Sequence, residues 1–280
     1  MQGYKEFVTN RIGPAMTRRM GDSWQQKDGV HGHICHTLRD NFIDGSVPTF
    51  CALKGELFRN VKIHYHRWSK CLTSSQVMCI SFFRKFFEQP EYEPVLLELL
   101  RQSGLCIPAD AEIANAILEY EPDSAEGTNF DFYLRLTDGR HVSFEIKYTE
   151  VEFGSVSQTA ADPKKYIRKW ESVYSRMSAL CPYFQGPDAM NMQEFYRNYQ
   201  INRNIAWAGT PQDIAVFLTP ENNAALDGGR RYIDHFENPN IVNLYWERLL
   251  PRLMGLIGGE LARYYSAFWQ KYFAFLQECT

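Results

Sequence analysis

Phe130-Asp131-Phe132-Tyr133-Leu134-Arg135-Leu136, then Thr137-Asp138-Gly139-Arg140, then His141-Val142-Ser143-Phe144-Glu145-Ile146-Lys147-Tyr148 is the stretch that decides the fold. Its two outer runs are dense in aromatic and β-branched residues, the composition that fits a pleated, half-buried surface, so strands are expected over 130–136 and 141–148. The polar four between them, with Asp-Gly at their centre, form a hairpin turn. Turn length fixes which charged residues share a face. A two-residue turn at Asp138-Gly139 pairs 137 with 140 and sets Asp131 opposite Ile146, facing away from Glu145. A three-residue loop 137–139, with Gly139 left-handed in a bulge, pairs 136 with 140 instead. Asp131 then lies opposite Glu145, and Lys147 shares their face.

Working outward, residues 116–121 read as a strand ending at Pro122, and 213–219 as a buried strand. Thr73-Ser74-Ser75-Gln76 has capping-box spacing and opens a helix over 73–88. A second helix over 94–103 has Pro94 in its first turn and Gly104 after its end. Asp162-Pro163 supplies an N-cap and an N1 proline for a helix running to about Leu180. Another covers 193–208, closed by Gly209. The C-terminal third reads as helical, with Leu261, Tyr265, Phe268, Tyr272 and Phe275 on one stripe, more often core than dimer interface. Pro251 is expected to kink or divide the helix before that stripe. Residues 1–50 are punctuated by Gly13-Pro14, Gly21-Asp22, Asp28-Gly29 and Pro48 and read as mostly loop with short helices. The expected architecture is α/β: a mixed central sheet with helices on its faces and a β-hairpin carrying the site. Residues 1–60 are expected to be an irregular N-terminal extension packed on a 61–280 domain with a helical C-terminal region.

Composition narrows the function classes. The chain has 280 residues, 45 % apolar and 22 % charged, ordinary for a globular protein. No run approaches the roughly 18 apolar residues of a membrane span. The first twenty residues carry Lys5, Arg11, Arg18 and Arg19 where a secretory signal would be apolar. Seven cysteines without a CxxC pair suggest free thiols in a reducing cytoplasm. Phosphate-loop, dinucleotide-loop and serine-hydrolase motifs are absent from the sequence. The net charge of −3 is unevenly spread: residues 91–160 carry 4 Lys/Arg against 14 Asp/Glu, between more basic flanks. That asymmetry fits either a solvated acidic face or a carboxylate-rich metal site beside surfaces that hold a polyanion.

Strand alternation puts Glu119 and Glu121 on one face of their strand, and Glu145 and Lys147 on one face of theirs. Three strands can thus offer Glu, Asp, Glu and Lys to one place. A hard cation such as Mg²⁺ takes a few carboxylate oxygens, with water and substrate phosphate filling its other positions. A lysine beside it can orient or deprotonate the attacking water, or stabilise the charge that develops on phosphorus. These are the parts of a metal-assisted phosphodiester hydrolysis. The competing reading is an antiparallel sheet with one wet face, where the charges merely point outward.

Phe144-Glu145-Ile146-Lys147-Tyr148-Thr149-Glu150, followed by Phe153-Gly154 and preceded by Thr128-Asn129-Phe130-Asp131, resembles the PD-(D/E)xK nuclease superfamily, and more closely a bacterial family of restriction endonuclease-like proteins. Ser74-Ser75-Gln76 and Gln200-Ile201-Asn202-Arg203-Asn204 look like further segments of that family, and the likeness spans about residues 60–260. It implies a restriction-endonuclease-like core and Mg²⁺-dependent cleavage of DNA, with Mn²⁺ as a substitute. Asp131 and Glu145 would be metal ligands and Lys147 the catalytic lysine. Asn129-Phe130-Asp131 stands where the superfamily often has Pro-Asp. Glu119 is taken as the first acidic residue and metal ligand over Glu121; a helical origin would favour Glu112 or Glu98.

Gln200 and Asn204 share a helix face with Arg203 adjacent. Gln200 is a candidate catalytic residue and Arg203 a nucleic-acid contact, against the alternative of a solvated polar face. Gln76 either bonds the backbone of Thr73 as part of the capping box or belongs to the site. Lys164, Lys165, Arg168 and Lys169 form a basic stripe, either solvated or placed against the DNA backbone. His31, His33, Cys35, His36, His64 and His66 match no standard zinc spacing. Cutting both strands of a duplex would favour a homodimer. A non-catalytic nucleic-acid-binding or structural protein on the same fold is the rival reading.

Overall fold

The computed structural model describes residues 3–21, 33–124, 126–156, 163–184 and 190–275. In chain order the elements are α1 (Tyr4–Met20), β1 (Ala52–Lys54), α2 (Ser75–Arg84), α3 (Glu93–Gln102), β2 (Ile113–Tyr120), β3 (Phe130–Leu136), β4 (His141–Ile146), α4 (Pro163–Lys169), α5 (Ser175–Leu180), α6 (Met192–Arg197), α7 (Tyr199–Ala206), β5 (Ile214–Thr219), α8 (Asp227–Asp234), β6 (Ile241–Tyr245), α9 (Trp246–Leu256) and α10 (Gly259–Tyr272). The strands form one six-stranded sheet in sequence order, antiparallel from β1 to β4 and parallel from β4 to β6. This mixed sheet flanked by helices is compatible with a restriction-endonuclease-like core.

The hairpin takes the three-residue loop. Arg135 pairs with His141, Leu136 N–H donates to the Arg140 carbonyl at 3.0 Å, and Gly139 adopts φ +91°. A side chain at that angle would crowd the backbone, which is why glycine stands there.

Alternation along the strands divides the core in two. Phe132, Leu134, Val142, Phe144, Ile146, Val216 and Leu218 point to one face, beneath α2, α9 and α10. Phe83 of α2 stacks on Phe132 with ring centroids 3.9 Å apart. Ala215 and Phe217 point to the other face, where Tyr174, Phe195, Ile201 and Ile205 from α5–α7 and the turns before them complete a second cluster. Both faces of β5 are therefore covered, and all six of its residues are buried, as expected for a central parallel strand. Leu261, Tyr265, Phe268, Tyr272 and Phe275 are all within the first core.

Four expectations are corrected. Residues 4–20 are one 17-residue helix, not mostly loop: Gly13-Pro14 lies inside it, and Val8, Ile12 and Met16 at helical spacing are buried against the core. Tertiary burial of that stripe outweighs the local breakers. The helix over 193–208 is divided at Asn198, whose φ −120° and ψ 48° separate α6 from α7. The C-terminal third holds a strand, β6, which extends the sheet beside β5. Pro251 does not divide its helix but stays inside α9, and the chain breaks at extended Ile257 and Gly258. The helix over 162–180 runs through α4 and α5 with one π turn, Trp170–Tyr174, between them; Asp162, Asp28-Gly29 and His31 lie outside the described residues.

Candidate active site

The register brings the carboxylates abreast. Leu118 pairs with Phe132 and Tyr120 with Phe130, so Glu119 lies across from Asp131. Phe132 pairs with Phe144, and one step along the same ladder sets Asp131 across from Glu145. Glu119 has a left-handed backbone, φ +51°. A non-glycine residue there costs on the order of 1–3 kcal/mol and persists only where its surroundings over-determine it. The Gln76 and Asn129 side chains lower the pKa of its carboxyl, against the larger effect of burial.

Two of the carboxylates open onto a cavity of about 720 Å³, whose lining includes Glu119, Asp131, Thr149 and Glu150, with Ser74, Ser75 and Gln76 at the start of α2 and His66 and Trp68 from the preceding loop. Burial, then Glu145 and Glu119, push the Asp131 carboxyl well above the usual range, although it accepts a 2.6 Å bond from the Ile146 N–H. Glu119 is pushed up to about 7 by burial and by the charge on Glu145.

Glu145 meets the opposite field. It is only 4 % exposed, and its Oε1 accepts from Lys147 Nζ at 2.8 Å. Its Oε2 accepts from Asn204 Nδ2 at 2.9 Å and from the Arg203 guanidinium at 3.3 Å. Burial would raise its pKa, but Lys147 and Arg203 outweigh burial and hold it below the usual carboxylate range. Lys147 also donates to Gln200 Oε1 at 2.8 Å. Burial would lower its pKa, and Glu145, Glu150 and Asp131 together raise it, so Lys147 keeps its proton at neutral pH.

Helix α7 thus delivers Gln200, Arg203 and Asn204 to Glu145 and Lys147 from the face opposite α2. Its entry is set by Gly154, whose carbonyl accepts from Gln200 N–H at 3.3 Å. Gly154 has φ +99°, and a Cβ there would stand 2.7 Å from Gln200 Oε1. Arg203, expected as a nucleic-acid contact, is 4 % exposed and donates to the Asn129 carbonyl at 2.8 Å, so it faces Glu145 and not an outer surface.

The remaining candidates fall elsewhere. Glu98 is on the surface of α3 bonded to Gln102. Glu112 precedes β2, seven residues and about 20 Å of strand away from Glu119. Glu121 follows the end of β2. The stripe on α4 is three residues wide: Lys164, Lys165 and Arg168 are exposed, while Lys169 turns inward to the Glu126 carbonyl. Gln76 does not close a capping box. Ser74 is the N-cap, accepting from Val77 N–H, and Gln76 reaches the preceding loop. A Cβ at Gly13 would fall 2.2 Å from the His33 ring, so that imidazole is wedged against α1.

Asn129, Glu150 and Gly154 join the site without a role assigned to them by the sequence pattern, whereas Asn204 shares the helix face of Gln200 that was a candidate for lining the cleft. Asn204 was visible one turn beyond Gln200. Nothing in the sequence placed Glu150, which follows the strand in a loop and whose Oε2 accepts from Tyr148 N–H.

A family described as Restriction Endonuclease associating with ARP matches residues 16–273. The chain belongs to this family. No curated protein and no solved structure matches it.

The donor set fits a divalent cation in a limited way. Among the described residues no three His, Cys, Asp or Glu side chains form a ready-made ligand cluster. Asp131 and Glu119, however, face one cavity, both raised above the usual carboxylate range by burial and by neighbouring carboxylates, and Mg²⁺ commonly uses only one or two carboxylates plus water and substrate phosphate.

Proposed function

We propose that this family member is a metal-dependent nuclease of the PD-(D/E)xK type that hydrolyses phosphodiester bonds in DNA in the cytoplasm. One observation carries the reading: three adjacent strands set Glu119, Asp131 and Glu145 abreast, with Lys147 bonded to the last. Asp131, Glu119 and Glu145 would hold Mg²⁺ or Mn²⁺, which would supply Lewis acidity toward the scissile phosphate and water.

The protein's own groups supply the rest. Lys147, kept protonated by its carboxylate neighbours, stabilises the negative charge that grows on phosphorus and does not act as the initial base. Gln200 fixes the ammonium at 2.8 Å and limits its rotation. Arg203 and Asn204 hold Glu145 in place from α7. Exposed Lys164, Lys165 and Arg168 supply backbone attraction for DNA. Cutting of both strands would be the work of a homodimer.

The second reading is a non-catalytic scaffold, favoured by one observation: both Glu145 oxygens are already engaged by protein donors. Calorimetric titration with Mn²⁺ separates the two. The nuclease reading expects saturable binding by the wild type that is lost in Asp131→Asn; no binding by the wild type, with or without DNA, supports the scaffold.

A further inference from the structure

The loop Lys62-Ile63-His64-Tyr65-His66-Arg67-Trp68-Ser69-Lys70 contributes His66 and Trp68 to the lining of the cavity that holds Glu119 and Asp131, and has no part in the chemistry above. We propose that this loop grips the nucleic-acid strand: the Trp68 indole stacks on an unpaired base, and Lys62 and Arg67 lie against its phosphates. The proposal rests on the nuclease reading for the nature of the ligand.

Three observations support it. His64, His66, Arg67 and Trp68 are exposed, and His66 and Trp68 line the same cavity as Glu119 and Asp131. The Arg67 guanidinium lies over the Trp68 ring, 5.0 Å from its centroid, the kind of aromatic–cation pair that binds a base and its phosphate together. The charge pattern is one-sided: no Asp or Glu occurs between Glu56 and Glu88, and neither Lys62 nor Arg67 has an ion pair among the described residues. A basic, aromatic rim above an acidic floor suits a strand whose phosphates meet the rim while one phosphate reaches the floor.

The loop is also held in advance of binding. Gln76 Oε1 accepts from His66 N–H at 2.9 Å and from Ser69 Oγ at 2.7 Å, while its Nε2 donates to the His64 carbonyl at 3.0 Å. Cys71 N–H donates to the Trp68 carbonyl at 2.8 Å. Little ordering is left for the ligand to impose. Gln76 lines the cavity together with Glu119, so the side chain that holds the loop also borders the acidic floor. Base stacking tolerates any sequence, since every base has a π face, so this contact supplies affinity for unpaired strands and not sequence choice.

The test is fluorescence anisotropy of the full chain with a short labelled single-stranded DNA and with the matching blunt duplex, in EDTA so that nothing is cut. Trp68→Ala is expected to weaken single-strand binding roughly 5- to 100-fold, with a smaller loss on the duplex, and Trp68→Phe to keep most of the affinity. Lys62→Ala with Arg67→Ala should flatten the salt dependence by about one to two units of slope. Circular dichroism and melting confirm that these surface variants fold. Unchanged affinity in Trp68→Ala overturns the stacking contact, and an unchanged salt slope in the double variant overturns the phosphate contact. Failure of the wild type to bind either probe overturns both. Weakened binding in Trp68→Ala with no cleavage by the wild type in Mg²⁺ would uphold the grip and overturn the nuclease reading; cleavage with binding unmoved by these variants would do the reverse.

Discussion

Asp131 and Glu145 are neighbours across one ladder yet experience opposite fields, and their isosteric amides should behave oppositely. Glu145 is fixed by Lys147, Arg203 and Asn204, so Glu145→Gln takes from two buried cations the carboxylate each pairs with. Breaking a buried pair in this way costs about 3–5 kcal/mol, a loss that urea unfolding would read. Asp131 carries a charge that burial and its carboxylate neighbours disfavour, so Asp131→Asn in metal-free buffer should melt at or above the wild-type temperature. An equal loss in both variants would show Asp131 to be a structural carboxylate. Glu119 gives a pH signature. Its folded pKa is raised, so the folded state favours the protonated form; that stability is fully present below about 4.5 and is lost as pH rises through about 7. Glu119→Gln should therefore gain on the wild type by about 1–3 kcal/mol between pH 5 and pH 8 without metal. A difference that stays flat with pH would contradict the repulsion.

At the scale of elements, the site is a junction between the β3–β4 hairpin and α7. Gly154 sets their spacing: Gly154→Ala adds a Cβ 2.7 Å from Gln200 Oε1 at a left-handed φ. The variant should fold with a cost of about 1–2 kcal/mol and cleave more slowly, because Lys147 loses its second anchor. Wild-type rates in this variant would remove Gln200 from the chemistry. Reversing Lys164 and Lys165 on α4 should weaken DNA binding on every sequence and flatten its salt dependence; an unmoved slope would take that helix off the interface. The strands β3, β4 and β5 were legible because aromatic and β-branched runs bounded by turn residues have few other ways to bury themselves. The Asp131–Glu145 register was legible only as a choice between two turn lengths, which Gly139 at φ +91° decides. Helix α1 was not legible, because Gly13-Pro14 looks like a turn until the core that covers Val8, Ile12 and Met16 is present. Nor was β6: its five residues, Ile241–Tyr245, alternate too briefly to stand apart from the helical segments beside them.

For the whole molecule, the sheet keeps its two faces for different work. The face under α2, α9 and α10 is a continuous apolar core, while the α7 face gives up core positions to Glu145, Arg203 and Asn204. Buried polar networks of this size are retained at a stability cost, and here the network ends on a cavity lined by two carboxylates whose pKa values burial raises. The long-range pairs that complete it, Arg203 with Glu145 and Gln200 with Lys147, join residues more than fifty positions apart, beyond the reach of any local pattern. Among the described residues no helix is long and apolar enough to cross a membrane. The central claim is that this assembly hydrolyses DNA with a divalent cation. Its most direct test is a plasmid-cleavage assay comparing the wild type in Mg²⁺, the wild type in EDTA, Asp131→Asn and Lys147→Ala, all shown to be folded by melting. The account predicts nicked or linear product from the wild type in Mg²⁺ alone and nearly none from the other three; no Mg²⁺-dependent product from the wild type on plasmid, linear duplex or single-stranded DNA, or undiminished cleavage by both variants, would contradict it.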